Sequence, residues 1–255
     1  MAITLHYLGW SAFELTLEDG RRLLIDPLLS GCPNEGVPPS PVSIEEVTGA
    51  DVILVTHAAN DHVGETFEIM RRGKARLVCD VATRFLAVAA GLAPERILSM
   101  VPGVRFDLGG FFVKALSAHH LSFRQLTETS FISAPPLSYI VTSPGGIRIF
   151  FGGDTAISAD HRLFGELYKP HVAILGVGGI NVMGQSVTEL YPDEAARVAK
   201  WLGVKVAIPI HYRLDEGQLF VKELRRRAPK VRAVVLKAGN TCRFPSGRPL
   251  TSKRV

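Results

Sequence analysis

Histidine and aspartate recur in this chain where a short apolar run gives way to a loop. His57, Asp61 and His62 follow Val52–Thr56, and His119 and His120 follow Phe111–Leu116. Asp154 follows Ile147–Phe151, and His211 follows Val204–Ile208. Imidazole and carboxylate are the usual ligands of a catalytic divalent ion where no thiolate is at hand. An ion so held lowers the pKa of a coordinated water to about 7 and polarises a carbonyl or phosphoryl oxygen. Hydrolysis is therefore the chemistry these residues could do. Any one of them alone is a weak sign. Four strand ends delivering the same two residue types is a stronger one, because loops on a rigid sheet can converge on one spot.

The elements that must position these residues alternate in character. Ile3–Leu8, Ala12–Leu17 and Arg22–Ile25 read as strands, the last two flanking the Asp19-Gly20 turn, and Pro27 predicts a sheet edge there. Val52–Val55 is a continuous apolar run, as expected of a strand covered on both faces. Glu65–Arg72 and Val81–Ala90 read as helices around a strand at Leu77–Cys79, with Gly91 as a C-terminal cap. Phe111–Leu116, Ser138–Val141 and Ile147–Phe151 have antiparallel character. The last third gives strands Val172–Leu175, Val204–Ile208 and Val231–Leu236 between helices Pro192–Leu202 and Glu216–Ala228. Pro192 sits in the first helical turn with Asp193 and Glu194, where the helix dipole favours negative charge. Hairpins mixed with αβ units, twice over, predict an α/β fold with sheets sandwiched between helices. No linker interrupts the pattern, so residues 1–255 are expected to form one domain.

Composition narrows the function classes. Of 255 residues, 47 % are hydrophobic and 21 % charged, which supports a substantial core and argues against disorder. A net charge of +5 permits an anionic partner. The basic residues, however, cluster only at Arg225–Arg227 and in the tail Lys253–Arg254, so nucleic acid is not the expected partner. Cys32, Cys79 and Cys242 are odd in number and far apart, which indicates neither disulfides nor a thiolate zinc site and fits a cytoplasmic location. No apolar stretch approaches the roughly 18 residues of a membrane span, and Met1–Trp10 lacks a signal-peptide pattern. The expected partner is a small-molecule substrate, without a membrane. A homo-oligomer is compatible with the pattern.

The motifs taken together resemble the metallo-β-lactamase superfamily. Thr56-His57-x-x-x-Asp61-His62-Val63-Gly64 is similar to its HxHxDH signature, Gly153-Asp154-Thr155 to its bridging-aspartate motif, and Pro209-Ile210-His211-Tyr212 to its final histidine motif. Ile25-Asp26-Pro27-Leu28 resembles the strand-end aspartate that precedes the signature. With Tyr191-Pro192-Asp193-Glu194-Ala195, the resemblance is nearest the branch of UPF-type metal-dependent hydrolases and the ascorbate-phosphate lactonase, and it runs in order from about residue 3 to about residue 240. It implies a four-layer αβ/βα sandwich holding one or two metal ions, zinc by default with manganese as the alternative. His57 and His120 would serve the first ion, Asp61, His62 and His211 the second, and Asp154 would bridge. Asp61 and Asp154 are the carboxylates implied in catalysis. A metal-bound hydroxide would attack a small, anionic ester, lactone or phosphodiester.

Two departures stand out. The family's second histidine falls on Ala59, which cannot bind metal, and the Gly-His-Ser of many relatives is Gly9-Trp10-Ser11. They keep open an alternative in which the fold binds a metabolite with little or no turnover, and a nuclease is a further alternative. Adjacent residues at a strand end point in opposite directions, so only one of His119 and His120 is expected to face the ion. The resemblance favours His120, while His119 is the alternative that could fill the space left at Ala59. His6, His161 and His171 are expected to be structural. Asp26 either caps a turn or orients a ligating histidine. Arg124, Tyr191, Tyr212 and Arg213 are near enough in sequence to touch substrate, with surface roles equally open.

Overall fold

Apolar runs such as Val52–Val55 and Val172–Gly176 need cover on both faces, and this requirement organises the molecule. The computed structural model describes residues 2–182, 185–245 and 249–250, with the side chains of 180–188 and 249–250 left aside. The tail Lys253–Arg254 lies outside the described residues. Two large mixed sheets pack face to face. The first runs, edge to edge, Pro249–Leu250, Thr241–Phe244, Ile3–Gly9, Ala12–Thr16, Arg22–Ile25, Val52–Val55, Arg76–Cys79 and Ile97–Ser99. The second runs Arg232–Ala233, Val206–Ile210, Val172–Gly176, Arg148–Phe151, Leu137–Thr142, Phe112–Ser117 and Arg105–Asp107.

Alternate side chains of each strand go to different layers. Leu15, Ile25, Leu54 and Val78 of the first sheet meet Val113, Tyr139, Phe151, Ile174 and Ile208 of the second in the central core. The opposite faces are covered by helices. Leu24, Ile53, Val55 and Leu77 pack with Ile69 and Met70 of helix Thr66–Arg72. Phe150, Ala173 and Ala207 pack with Ala195, Val198, Phe220 and Leu224 of helices Pro192–Leu202 and Glu216–Arg227. Helix, sheet, sheet, helix is the four-layer order expected from the motifs.

Several local expectations are corrected. Arg22–Ile25 is an interior strand, so Pro27 ends the strand without marking a sheet edge. The strand expected at Val204–Ile208 lies at Val206–Ile210. It can include Pro209 because its second neighbour pairs only with Val206 and Ala207, so no ladder partner needs the missing N–H. Of Val231–Leu236 only Arg232–Ala233 is strand, and Val234 and Leu236 turn into the central core. Two hairpins, Ser122–Gln125 with Phe131–Ala134 and Gly179–Val182 with Gln185–Thr188, were not foreseen.

Candidate metal centre

The short helix Asn60–Val63 follows strand Val52–Val55 and carries Asp61 and His62, with His57 in the loop before it. That loop is tied to the other sheet: Leu137 N–H donates to Thr56 O at 2.9 Å and Tyr139 Oη to Val55 O at 2.7 Å. The unforeseen hairpin clamps it from above. Ala58 N–H donates to Ser122 Oγ at 3.0 Å, and Arg124 Nε donates to Ala58 O at 3.0 Å. Two glycines permit the close approach. A Cβ on Gly64 would lie 2.4 Å from Pro27 O, and one on Gly153 would lie 2.9 Å from Thr56 Cβ, both at positive φ.

The second sheet brings Asp154, His120 and His211 to the same seam. His62 Nε2 lies 3.1 Å from Asp154 Oδ2 and 3.6 Å from Asp61 Oδ2. His211 Nε2 lies 3.4 Å from Asp61 Oδ2 and 3.5 Å from Asp154 Oδ2. Asp61, His62, Asp154 and His211 thus offer ligand atoms within 4.8 Å of one another, as do His57, His120 and Asp154. Asp154 belongs to both groups.

The donor set fits a divalent ion. His57 Nε2 and Asp154 Oδ1 are buried without a hydrogen-bond partner, an arrangement native interiors avoid unless something else satisfies it. Three nitrogen or oxygen donors in one group and four in the other match catalytic sites that keep a position open for water.

Electrostatics point the same way. Burial disfavours a charged ring at His62, yet Asp154, Asp61 and Asp26 outweigh it and hold the residue well above the usual imidazole range. At His211 burial is likewise overcome, by Asp154 and the bond to Asp61, and its pKa rises to about 9. The carboxyls respond in kind: burial opposes ionisation of Asp154, but His211 and His62 hold it well below the usual range. Protonated imidazoles therefore occupy the place of a cation's charge. His57 has less support, and burial together with the charge of His62 keeps it neutral, ready to ligate.

Buried groups orient these rings from behind. Asp26 is fully buried; its Oδ2 accepts from His62 Nδ1 at 2.8 Å and from Thr56 Oγ1 at 2.7 Å, and its Oδ1 from Thr56 N–H at 2.8 Å. Of its two expected roles, the structure shows the one at a histidine. Trp10, the departure from Gly-His-Ser, donates Nε1–H to Asp61 Oδ2 at 3.0 Å and stacks on His211 with centroids 3.9 Å apart. Glu189 was not anticipated. Its Oε2 lies 3.6 Å from His211 Nδ1, both atoms are buried, and neither has a hydrogen-bond partner. Burial, reinforced by the charge of Asp154, raises Glu189 to about 8. No motif marks Glu189, because it is the register of the chain after the second hairpin that brings it to His211. Trp10, Asp26 and His211 all adopt left-handed backbone, with φ of 48°, 45° and 61°. Such strain persists where surrounding contacts over-determine it.

The remaining candidates separate clearly. His119 is half-exposed, 3.3 Å from Asp160, and stands outside both groups. His6 pairs with Glu14, His161 is buried beside Ser158, and His171 Nδ1 accepts from Arg148 N–H at the far end of the sheet. Arg213 donates to Glu35 O, and Tyr191 is exposed. Among the described residues no helix is long and apolar enough to cross a membrane.

Comparison with known proteins agrees with this class. The family model for the beta-lactamase superfamily domain matches residues 21–212, and the chain belongs to that superfamily. A UPF0173 metal-dependent hydrolase of Aeropyrum pernix is 32 % identical over 251 residues, covering 94 % of this chain and 97 % of the relative. One from Methanopyrus kandleri is 33 % identical, covering 92 % and 97 %. At this likeness the chain is a member of the UPF0173 family of metal-dependent hydrolases. A metallo hydrolase from Ignicoccus hospitalis has the same fold, with a TM-score of 0.78 at 24 % identity over 96 % of this chain and 99 % of that one.

Proposed function

We propose that the chain hydrolyses a small anionic ester, lactone or phosphodiester, using one or two divalent ions held by His57, Asp61, His62, His120, Asp154 and His211. Zinc is the default ion, with manganese the alternative for a set of nitrogen and oxygen donors. The observation carrying this reading is the pair of side-chain groups that share Asp154 at the meeting edge of the two sheets. A bound divalent ion supplies Lewis acidity and hydroxide at neutral pH. The chain's own groups supply orientation. Asp26 and Glu189 stand behind Nδ1 of His62 and His211, which leaves Nε2 of each ring facing the centre. Trp10 fixes the Asp61 carboxylate.

Preference for an anion rests on Arg124. Its Nε is anchored on the carbonyl beside position 59, it is half-buried within the field of Asp61, and no carboxylate pairs with it among the described residues. A guanidinium held this way can take a phosphate or carboxylate oxygen through its terminal N–H groups. Ala59 removes one imidazole from the His57 group, so that group is the weaker of the two. The same feature favours a second reading, metabolite binding without turnover.

The test is to strip divalent ions with a chelator, restore zinc or manganese, and assay bis(p-nitrophenyl) phosphate against neutral p-nitrophenyl acetate. Metal-restored turnover of the anionic diester is expected. Arg124→Ala should raise the KM of the diester at least about tenfold more than that of the neutral ester, which shares only the loss of the bond to Ala58 O. Stoichiometric metal with no turnover of any ester or diester would favour the binding protein instead.

A further inference from the structure

A cavity of about 580 Å³ lies on the helix-covered face of the second sheet, beyond the end of helix Asp160–Tyr168. Its walls include Arg105, Lys114, Arg148 and Lys169 together with Phe112 and Leu167. Arg148 opens the strand whose other end leads to Asp154, six residues on, so roughly 20 Å of extended chain separates this cavity from the metal centre.

The sheet register explains how the cations come together. Arg105 is directly opposite Lys114 in the antiparallel ladder, and Thr142 is opposite both Phe112 and Arg148. Like charges directly opposite each other destabilise a sheet. Several arginines elsewhere are balanced by carboxylates, Arg21 by Asp19, Arg22 by Glu14, Arg72 by Glu45 and Glu68, and Arg227 by Asp193 and Glu223, while others such as Arg96 and Arg213 rest on carbonyl oxygens. Among the described residues, the partners of Arg105, Lys114 and Arg148 in the cavity are neutral. The Arg105 guanidinium lies 5.1 Å above the Phe112 ring, and Lys114 donates to Gly103 O. Arg148 donates to Lys169 O at 3.0 Å. Asp107, the acid on the same strand as Arg105, uses its Oδ1 on the N–H groups of Gly109 and Gly110.

A second feature is independent of charge. Among the described residues four non-glycine positions adopt left-handed backbone; three are at the metal centre and the fourth is Lys169, φ 44°. Glycine is the usual residue at such a helix end, yet a lysine is held there on the rim of the cavity.

We propose that this cavity binds a nucleoside phosphate. Arg105, Lys114, Arg148 and Lys169 would take the phosphate oxygens, and Phe112 and the exposed Leu167 would pack on the base. The volume is that of a small-ligand pocket, and guanidinium forks match phosphate geometry. The site is separate from the centre where hydrolysis is proposed, so it stands or falls without that reading.

The test is calorimetric titration of the metal-loaded protein with ADP, compared with Arg105→Glu, Arg148→Glu and Lys114→Gln. Saturable micromolar binding is expected, weakened by at least about tenfold in each variant, with metal content and ester turnover unchanged. Lys114→Gln removes the like-charged pair, so its ligand-free Tm should be at or above the wild-type value, which guards against misfolding as the cause. Absence of saturation at millimolar ADP would overturn the proposal. So would binding indifferent to the three substitutions, which would send the nucleotide to the metal centre. Binding of a long single-stranded oligonucleotide alone, with steep salt dependence, would also overturn it and mark a merely basic surface.

Discussion

Replacing Asp26 by asparagine changes one atom and should disable a metal ligand that it does not itself supply. Asp26 Oδ2 accepts from His62 Nδ1 at 2.8 Å, which holds the ring with its other nitrogen, Nε2, toward Asp154. In Asp26→Asn, Oδ1 can keep the bond from Thr56 N–H, and Thr56 Oγ1 can reverse and accept. The new Nδ2–H, however, faces His62 Nδ1 and is satisfied only if that nitrogen is bare. The proton then moves to Nε2, where it blocks coordination. The choice lies between a buried donor facing a donor, at about 1–3 kcal/mol, and a ring in the wrong tautomer. Either way metal affinity should fall by about 10–100-fold, equivalent to about 1.4–2.7 kcal/mol. Asp26→Ala would be a poorer probe, since it orphans three donors at once and threatens the fold. The assay is competition for zinc against a chromophoric chelator, with thermal melts of the metal-free proteins showing that the variant folds. Wild-type affinity in Asp26→Asn would refute the argument that Asp26 sets the His62 tautomer.

Four further outcomes are expected. His211, raised to about 9, must lose its proton to ligate, so at pH 7 its apparent metal affinity is reduced about hundredfold; affinity measured from pH 7 to 9 should climb by about fiftyfold in all, steeply at first and flattening toward pH 9. The same shift has the opposite sign for the metal-free protein. A folded pKa above the unfolded value of about 6.5 contributes stability that is complete below pH 6.5 and fades as pH rises toward about 9, by an order of 3 kcal/mol, so metal-free Tm should fall over that window. Trp10→Phe keeps the ring on His211 but removes the N–H from Asp61 Oδ2, and zinc affinity should drop about tenfold; an unchanged value would leave Trp10 as packing alone. Glu189→Gln replaces the ionisable carboxyl behind His211 with a neutral amide and should alter the visible spectrum of the cobalt-substituted protein while weakening cobalt about tenfold, whereas an identical spectrum would disconnect Glu189 from the centre.

The sequence made the positions of His57, Asp61, His62, His120, Asp154 and His211 legible because each follows a strand, and strand ends converge where apolar patterning stacks the sheets. The layer order was legible for the same reason. Trp10 could be seen as a departure but not as a donor to Asp61, because that contact joins residues 51 apart and depends on a left-handed backbone at Trp10. Glu189 was invisible. Its segment carries no ligand spacing, and only the hairpin before it and the strand carrying His211 bring the two together. The hairpin that clamps Ala58 was missed because Ser122–Gln125 and Phe131–Ala134 set exposed phenylalanines beside a buried serine and half-buried residues, with little apolar contrast to read. The shift of the strand before His211 came from Pro209, which reads as a strand stop unless the short partner strand is known.

The central claim is that residues distributed from His57 to His211 hold a divalent ion between the two sheets. Crystals grown with zinc and measured across its absorption edge test this most directly, with metal content per chain determined on the same preparation. The account predicts a strong anomalous peak within bonding distance of Asp61, His62, Asp154 and His211, and a peak of equal or lower occupancy beside His57 and His120. A map without anomalous density among these side chains, from protein carrying no stoichiometric divalent ion, would contradict it.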